Sequence, residues 1–406
     1  METKHIIYKN FNNKNKQLNK KKLNNFIKFK NLIEKYHLLK SLTNNYNYSF
    51  KKKYLLNFIK FNEFNLIGMG GSILGAQAIY DFLSHKIKKK FFFYNNLQNI
   101  RITKSNKKRV NIIISKSGNT LETLSNLNLI LSKQKRNKNL IITEKKNNIL
   151  RAIANKLRSD VIDHKNYIGG RYSVLSEVGM VPAELMGINE KKFKRLNYLI
   201  KNKKFINFLI ENVSSIYSNI IKGKKNCVIL NYDEKLNNFL KWYQQLSAES
   251  LGKKGKGFFP IISTMPKDNH SLLQLYLDGP KNNFFSFFFS RDRNQFKFNN
   301  AFIIDGLEHL KKKSLDQVMY AQKKATQNVF NKKKLSFRSF EIKNKSEETL
   351  GELFTFFILE TLMLSSLLNV NPINQPSVEL IKIETKKNPK IVIYQILFLI
   401  IHIFFL

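Results

Sequence analysis

The succession of apolar and polar positions along the chain predicts strands and helices that take turns. Residues 64–68 form a short apolar run that meets a glycine-rich turn, Gly68-Met69-Gly70-Gly71-Ser72. Over residues 73–87 the apolar positions Leu74, Ala78, Ile79, Phe82 and Leu83 then fall at helical spacing. The unit recurs. Residues 110–114 read as a buried strand, 115–120 as a polar loop and 121–131 as a helix with Leu124, Leu127 and Leu131 on one face. Residues 140–142 give a further strand and about 148–157 a further helix. No proline precedes Pro182, and a lysine-rich helical stretch over 190–225 separates this set from a second. There the spacing predicts strands at 227–230, 258–262, 284–289 and 301–304, and helices at 234–251, 270–277 and 314–331. A last helix starts after Ser346, whose hydroxyl suits an N-cap with Glu347 and Glu348 in the first turn, and runs to about residue 368.

Strands alternating with helices of this length imply parallel sheets covered on both faces. The expected fold is α/β: two tandem three-layer domains, each with a mainly parallel sheet, followed by a C-terminal helical segment. The expected boundaries are a basic helical extension over 1–45, a first domain over 46–200, a second over 201–388 and an apolar tail over 389–406. Ligands of open α/β sheets bind at the carboxyl ends of strands, so the loops after those strands are where chemistry is expected.

Composition narrows the function classes. A chain of 406 residues that is 43% hydrophobic and 13% aromatic is not disordered. One cysteine, Cys227, excludes a disulfide scaffold and any multi-cysteine metal site. Lys+Arg of 71 against Asp+Glu of 28 gives a net charge of +43, which raises nucleic acid or an anionic membrane as a partner. The lysines, however, spread from Lys4 to Lys390 among abundant Asn, Ile and Phe, the residue types that A/T-rich codons specify. No zinc-finger, RNA-recognition or basic-zipper pattern gathers them, so the expectation is a solvated lysine coat and no nucleic-acid partner. Residues 1–30 lack the apolar core and cleavage site of a secretory signal. Residues 391–406 are almost wholly apolar, broken by Tyr394, Gln395 and His402. As a helix they would reach roughly 24 Å against a bilayer core of about 30 Å, so no stable membrane span is expected.

Two loops carry candidate chemistry. In Ser115-Lys116-Ser117-Gly118-Asn119-Thr120, with Thr123 one turn into the following helix, hydroxyls and unpaired helix N-terminal amides converge as a phosphate cradle would require. A Ser/Thr-rich cap that binds nothing has the same pattern. The loop at 68–72 ends in no Gly-Lys-Ser/Thr and lacks the dinucleotide fingerprint's last glycine, so it is neither a Walker loop nor a dinucleotide site.

The segment Asn166-Tyr167-Ile168-Gly169-Gly170-Arg171-Tyr172-Ser173-Val174-Leu175-Ser176, ending at Gly179, resembles the signature of glucose-6-phosphate isomerases. It stands in that family's order between the two loops above and three later segments. These are Ala248-Glu249-Ser250-Leu251-Gly252-Lys253, then Asp268-Asn269-His270-Ser271 with Gln274-Leu275, and Asn371-Pro372-Ile373-Asn374-Gln375-Pro376-Ser377-Val378-Glu379-Leu380-Ile381-Lys382. The resemblance implies two sugar-isomerase (SIS) domains that interconvert glucose 6-phosphate and fructose 6-phosphate in glycolysis and gluconeogenesis, without cofactor or metal, in the cytoplasm.

By the same resemblance Glu249 is the base that shuttles the carbon-bound proton, and Arg171 stabilises the oxyanion. His270 and Lys382 are implied as the ring-opening pair, with His270 shared across a homodimer, and Gln375 as a partner of sugar hydroxyls. Ser115, Lys116, Ser117, Thr120 and Thr123 are implied as phosphate ligands, with Gly71, Ser72 and Gly170 beside them. A different phosphosugar isomerase, acting on glucosamine, arabinose or mannose phosphates, or a non-catalytic sugar-phosphate sensor, would share the cradle. Three positions depart from the family pattern. Glu177 replaces a small or apolar residue, Ile373-Asn374 an aromatic-Asp pair, and Ser377 a glycine that would matter if the backbone there needed a positive φ.

Overall fold

The computed structural model describes residues 1–12, 33–97, 108–134, 137–291 and 296–387, so the apolar tail and its expected boundary lie outside the described residues. The first strand is β1 (Ile6–Lys9), and α1 (Lys52–Ile59) leads into β2 (Glu63–Gly68). Then come α2 (Leu74–Phe82), β3 (Lys90–Tyr94), β4 (Val110–Ile114), α3 (Leu121–Lys133), β5 (Lys138–Glu144), α4 (Ile149–Lys156) and β6 (Asp160–His164). After α5 (Glu177–Leu185), α6 (Leu196–Lys201) and α7 (Lys203–Ile221), the second half runs β7 (Asn226–Asn231), α8 (Asn237–Leu251), β8 (Phe259–Thr264), α9 (Leu273–Asp278) and β9 (Asn283–Ser290). It ends with α10 (Leu315–Lys332), β10 (Phe337–Ile342), α11 (Glu347–Leu368) and α12 (Pro376–Lys387).

Two five-stranded sheets result. The first has the order β3-β2-β4-β5-β6 and is parallel throughout. The second has the order β1-β10-β9-β7-β8, parallel except for β1. Central strands are mostly apolar because both faces are covered; every residue of β4 is buried, including Asn111, whose side chain accepts from Asn65 Nδ2 (2.8 Å) and donates to Asn139 Oδ1 (2.8 Å). The halves meet where α2 packs on α8, and α11 lies against α7 and α8. That helix is long and apolar enough to cross a membrane, but it is buried in the protein's own core.

Where the structure departs from the sequence reading, side-chain chemistry explains it. Within 1–45, expected as a helical extension, Ile6–Lys9 is instead a strand paired with β10; Ile6 and Tyr8 are fully buried while Lys9 is exposed, a two-residue period too short to register. β10 escapes the hydrophobic pattern because Arg338 and Glu341 interrupt it. Both are buried with partners: Arg338 bonds Glu360, Ser286 Oγ (2.8 Å) and Asn212 Oδ1 (2.9 Å), and Glu341 accepts from Arg291 Nη2 (2.6 Å) and Lys323 Nζ (3.2 Å). β3 and β6 flank the first sheet; β6 carries Asp160, Asp163 and His164, while β3 is an aromatic run whose Phe91 stacks on Phe64 of β2 (4.7 Å). The strand expected at 301–304 is a 3₁₀ turn, Asn300–Phe302, begun by Asn299 Oδ1 accepting from the Ala301 amide (3.0 Å). Phe302 and Ile304 are exposed, so no sheet takes them up.

Candidate active site

β2 and β4 are parallel neighbours with Gly68 opposite Ile114, so the glycine turn and the Ser115–Thr120 loop leave the sheet side by side. The glycine turn in turn meets the 3₁₀ turn Gly170–Leu175. A Cβ built on Gly71 would lie 2.1 Å from the Gly170 carbonyl carbon, which only a side-chain-free residue tolerates. This close approach seats Arg171 against α8.

Arg171 is buried and almost all its donors are placed. Its Nε donates to Ser250 Oγ (2.8 Å), and its Nη1 to Glu249 Oε2 (3.1 Å) and Gln375 Oε1 (3.0 Å). Its Nη2 donates to the carbonyls of Pro372 (2.5 Å), Ile373 (2.9 Å) and Asn374 (3.3 Å). Trp242 Nε1 fixes the turn by donating to the Arg171 carbonyl (3.1 Å). Tyr172 Oη donates to Pro372 O (3.0 Å) and sits 2.8 Å from Ser250 Oγ; burial raises its phenol above the usual range, so it stays a neutral donor. Glu249 keeps 28% of its side chain exposed, so its carboxylate is held from behind and open in front.

The cradle is arranged differently. Ser115 Oγ lies 2.9 Å from Thr120 Oγ1, and Ser117 Oγ 3.5 Å from it. Gly118, at φ +70°, turns the loop beneath Asn148, which caps α4 by accepting from the Arg151 amide (3.0 Å). Thr120 is the N-cap of α3 yet makes no side-chain capping bond, which leaves the amides of the first turn available to an anion. The Thr123 hydroxyl is buried and has no partner among the described residues. An orphaned buried hydroxyl beside a bare helix N-terminus is what an absent anionic ligand would leave.

Other expected residues stand apart. Lys116 Nζ is taken by Asn166 O (2.7 Å) and Glu144 Oε1 (3.4 Å). Ser72 closes the glycine turn, its amide donating to Met69 O (3.1 Å). His270 ends the 3₁₀ turn Lys267–His270 and is exposed; neighbouring Asp268 accepts from Ser263 Oγ (2.8 Å) and the Thr264 amide (2.7 Å). Lys382 is exposed on α12 and paired with Glu379 Oε1 (2.6 Å), away from the Arg171 cluster. Among the described residues no group of three or more His, Cys, Asp or Glu is placed to hold a metal.

The three departures find physical answers. Glu177 is fully buried and accepts from Tyr46 Oη (2.9 Å) and the Ser49 amide (2.8 Å). The carbonyls of Ile373 and Asn374, rather than their side chains, meet Arg171. Ser377 lies in α12 and is not among the positive-φ residues, so no glycine is required there. Sequence reading missed Gln245, whose Nε2 donates to Glu249 Oε1 (2.9 Å) and whose Oε1 is buried without a partner. The available signal was its place four residues before Glu249, on the same face of α8.

A family model described as phosphoglucose isomerase matches residues 49–258. A glucose-6-phosphate isomerase of Methanocaldococcus jannaschii is 31% identical over 329 residues, 77% of this chain and 81% of that protein. One of Mycoplasmopsis synoviae is 34% identical over 345 residues, 78% of this chain and 80% of that protein. Among solved structures, a hypothetical protein of Thermus thermophilus has a TM-score of 0.73 at 23% identity, covering 91% of this chain and 90% of its own. A glucose-6-phosphate isomerase of Chlamydia trachomatis has a TM-score of 0.64 at 20% identity, covering 86% and 76%. The structures support the fold, the two relatives extend the match over three quarters of the sequence, and the chain belongs to the phosphoglucose isomerase family.

Proposed function

We propose that this chain interconverts glucose 6-phosphate and fructose 6-phosphate, with Glu249 carrying a proton between C1 and C2 of the open-chain sugar. The observation that carries the assignment of residues is the Arg171 bridge to Glu249 and Gln375. Because Nε and Nη2 are committed to Ser250 and to residues 372–374, Nη1 is the edge turned toward Glu249 and the substrate. In this reading Glu249 takes the C2 proton of the aldose, Arg171 stabilises the enediolate oxygen, the hydroxyl proton of C2 passes to the oxygen of C1, and Glu249 returns its proton to C1, which leaves the carbonyl at C2. Gln375 holds sugar hydroxyls. Ser115, Ser117, Thr120, Thr123 and the first amides of α3 hold the phosphate, beside Gly71, Ser72 and Gly170, and Lys116 supplies charge from behind.

The same proposal takes 46–200 and 201–388 as the two units of the fold, and the cytoplasm as the place of action. Ring opening falls to His270 and Lys382. His270 is exposed, and α12 presents Leu380 and Ile381 to solvent, which supports a second copy of the chain completing the site as a homodimer. The test is a coupled assay on the purified protein, with and without residues 391–406, using glucose 6-phosphate and, as a competing substrate, mannose 6-phosphate. Fructose 6-phosphate formed from glucose 6-phosphate without added metal or cofactor is expected; its absence overturns the proposal. Mixing Glu249→Gln with His270→Ala protein should restore activity if each site draws on both subunits, and failure to do so removes the shared histidine.

A further inference from the structure

Residues 371–375 carry Gln375 into the site, yet little apolar burial holds them. Asn371, Ile373 and Asn374 are exposed, and of the five only Pro372 is buried. Their backbone carbonyls are held by two cations. Arg171 takes those of 372–374 together with the Gln375 side chain, and Lys253, two residues beyond α8, takes the first: its Nζ donates to Asn371 O (2.6 Å) and to Ser250 O (3.1 Å). Lys253 thereby ties the end of the helix that carries Glu249 to the start of the segment that carries Gln375. Lys256, in the same loop, ties that loop to the end of α11 through Leu368 O (2.9 Å).

We propose that Lys253 is a positioning residue for the isomerisation: its ammonium clamps residues 371–375 onto the end of α8 and so sets the geometry of Gln375 and Arg171 about Glu249. This rests on the function assigned above. Burial, and then the Arg171 guanidinium, lower the Lys253 ammonium to about 8, with the Glu249 carboxylate opposing. Lys254 and Lys256 flank it in its own loop, and 369–375 brings no charged group. The clamped pKa lies below the ordinary lysine value of about 10.5, so the clamped state binds fewer protons than a released one between those limits, and raising the pH through that window favours the clamp rather than opening it.

The experiment measures kcat/KM of the full chain at pH 7 for wild type, Lys253→Met and Lys253→Arg, with thermal melts, and follows hydrogen exchange of residues 369–378 in each, corrected for intrinsic rates. Lys253→Met should lose about tenfold in kcat/KM and lose protection over 369–378. Lys253→Arg should keep both, because its guanidinium can still donate to the two carbonyls. Wild-type kcat/KM or wild-type protection in Lys253→Met, or Lys253→Arg as impaired as Lys253→Met, overturns the proposal. If Lys253→Met does not fold, wild-type exchange from pH 7 to 9.5 decides: protection of 369–378 should hold or rise, and a fall through pH 8 refutes the clamp. A wild type without isomerase activity but with this exchange signature would refute the reaction and keep the clamp.

Discussion

The two ends of the site are built on opposite plans. At Arg171 the protein has already committed Nε and Nη2 to its own oxygens, and Nη1 to Glu249 and Gln375. At the cradle the hydroxyls of Ser115, Ser117 and Thr120 contact one another, Ser115 and Ser117 also accept from the amides of Gly118 (3.2 Å) and Asn119 (3.3 Å), and Thr123 has no partner among the described residues. One end is preorganised by the fold, and the other, in the proposed function, is left for a ligand to complete. That division suits an enzyme whose barrier depends on charge developing at fixed positions, while a distant phosphate supplies binding.

The contrast can be broken in order of expected effect. Glu249→Gln removes the proton carrier and keeps its shape, so kcat should fall about a thousandfold with the melting temperature and sugar-phosphate affinity retained; turnover near wild type in a coupled assay would remove Glu249 from the mechanism. Arg171→Lys cannot serve three sets of oxygens with one ammonium, and should cost about a hundredfold in kcat together with about 5 °C in melting temperature, read by calorimetry. A loss of kcat without loss of stability would show that the bonds to 372–374 are not structural. Ser115→Ala combined with Thr120→Ala should raise KM about tenfold and spare kcat, and unchanged binding of phosphorylated sugars would reject the cradle. Thr123→Val is the mildest and the most diagnostic: KM rises about threefold while the melting temperature stays or climbs, because the hydroxyl it removes has no partner to lose.

The sequence disclosed those features whose signal is local. β4 is legible as Val110–Ile114 because five consecutive buried positions leave no alternative, and α11 because Ser346 caps it, accepting from the Thr349 amide (3.2 Å). β10 was not legible because its Arg338 and Glu341 are satisfied by residues distant in the chain. α5 was hidden by Pro182, which sits inside the helix and marks a break by any local rule. The site divides the same way. The hydroxyls of the cradle stand out locally, although a cap that binds nothing has the same pattern, whereas Glu249, Arg171 and Gln375 carry no local mark and were identified by resemblance. Their meeting depends on Gly71 and Gly170 touching, a contact between separate turns.

β1 has a consequence for how the molecule is made and handled. Ile6 pairs with Ile342, so β1 waits for β10, the last strand in chain order among the described residues, before its ladder can form. Thr3 and Tyr8 meanwhile supply hydroxyls to Glu352 (2.7 and 2.8 Å), whose carboxyl burial pushes up. A chain trimmed or obstructed at its N-terminus would leave β10 as an open edge beside a half-satisfied acid, the kind of surface on which copies stack and precipitate even when every residue that touches sugar is in place.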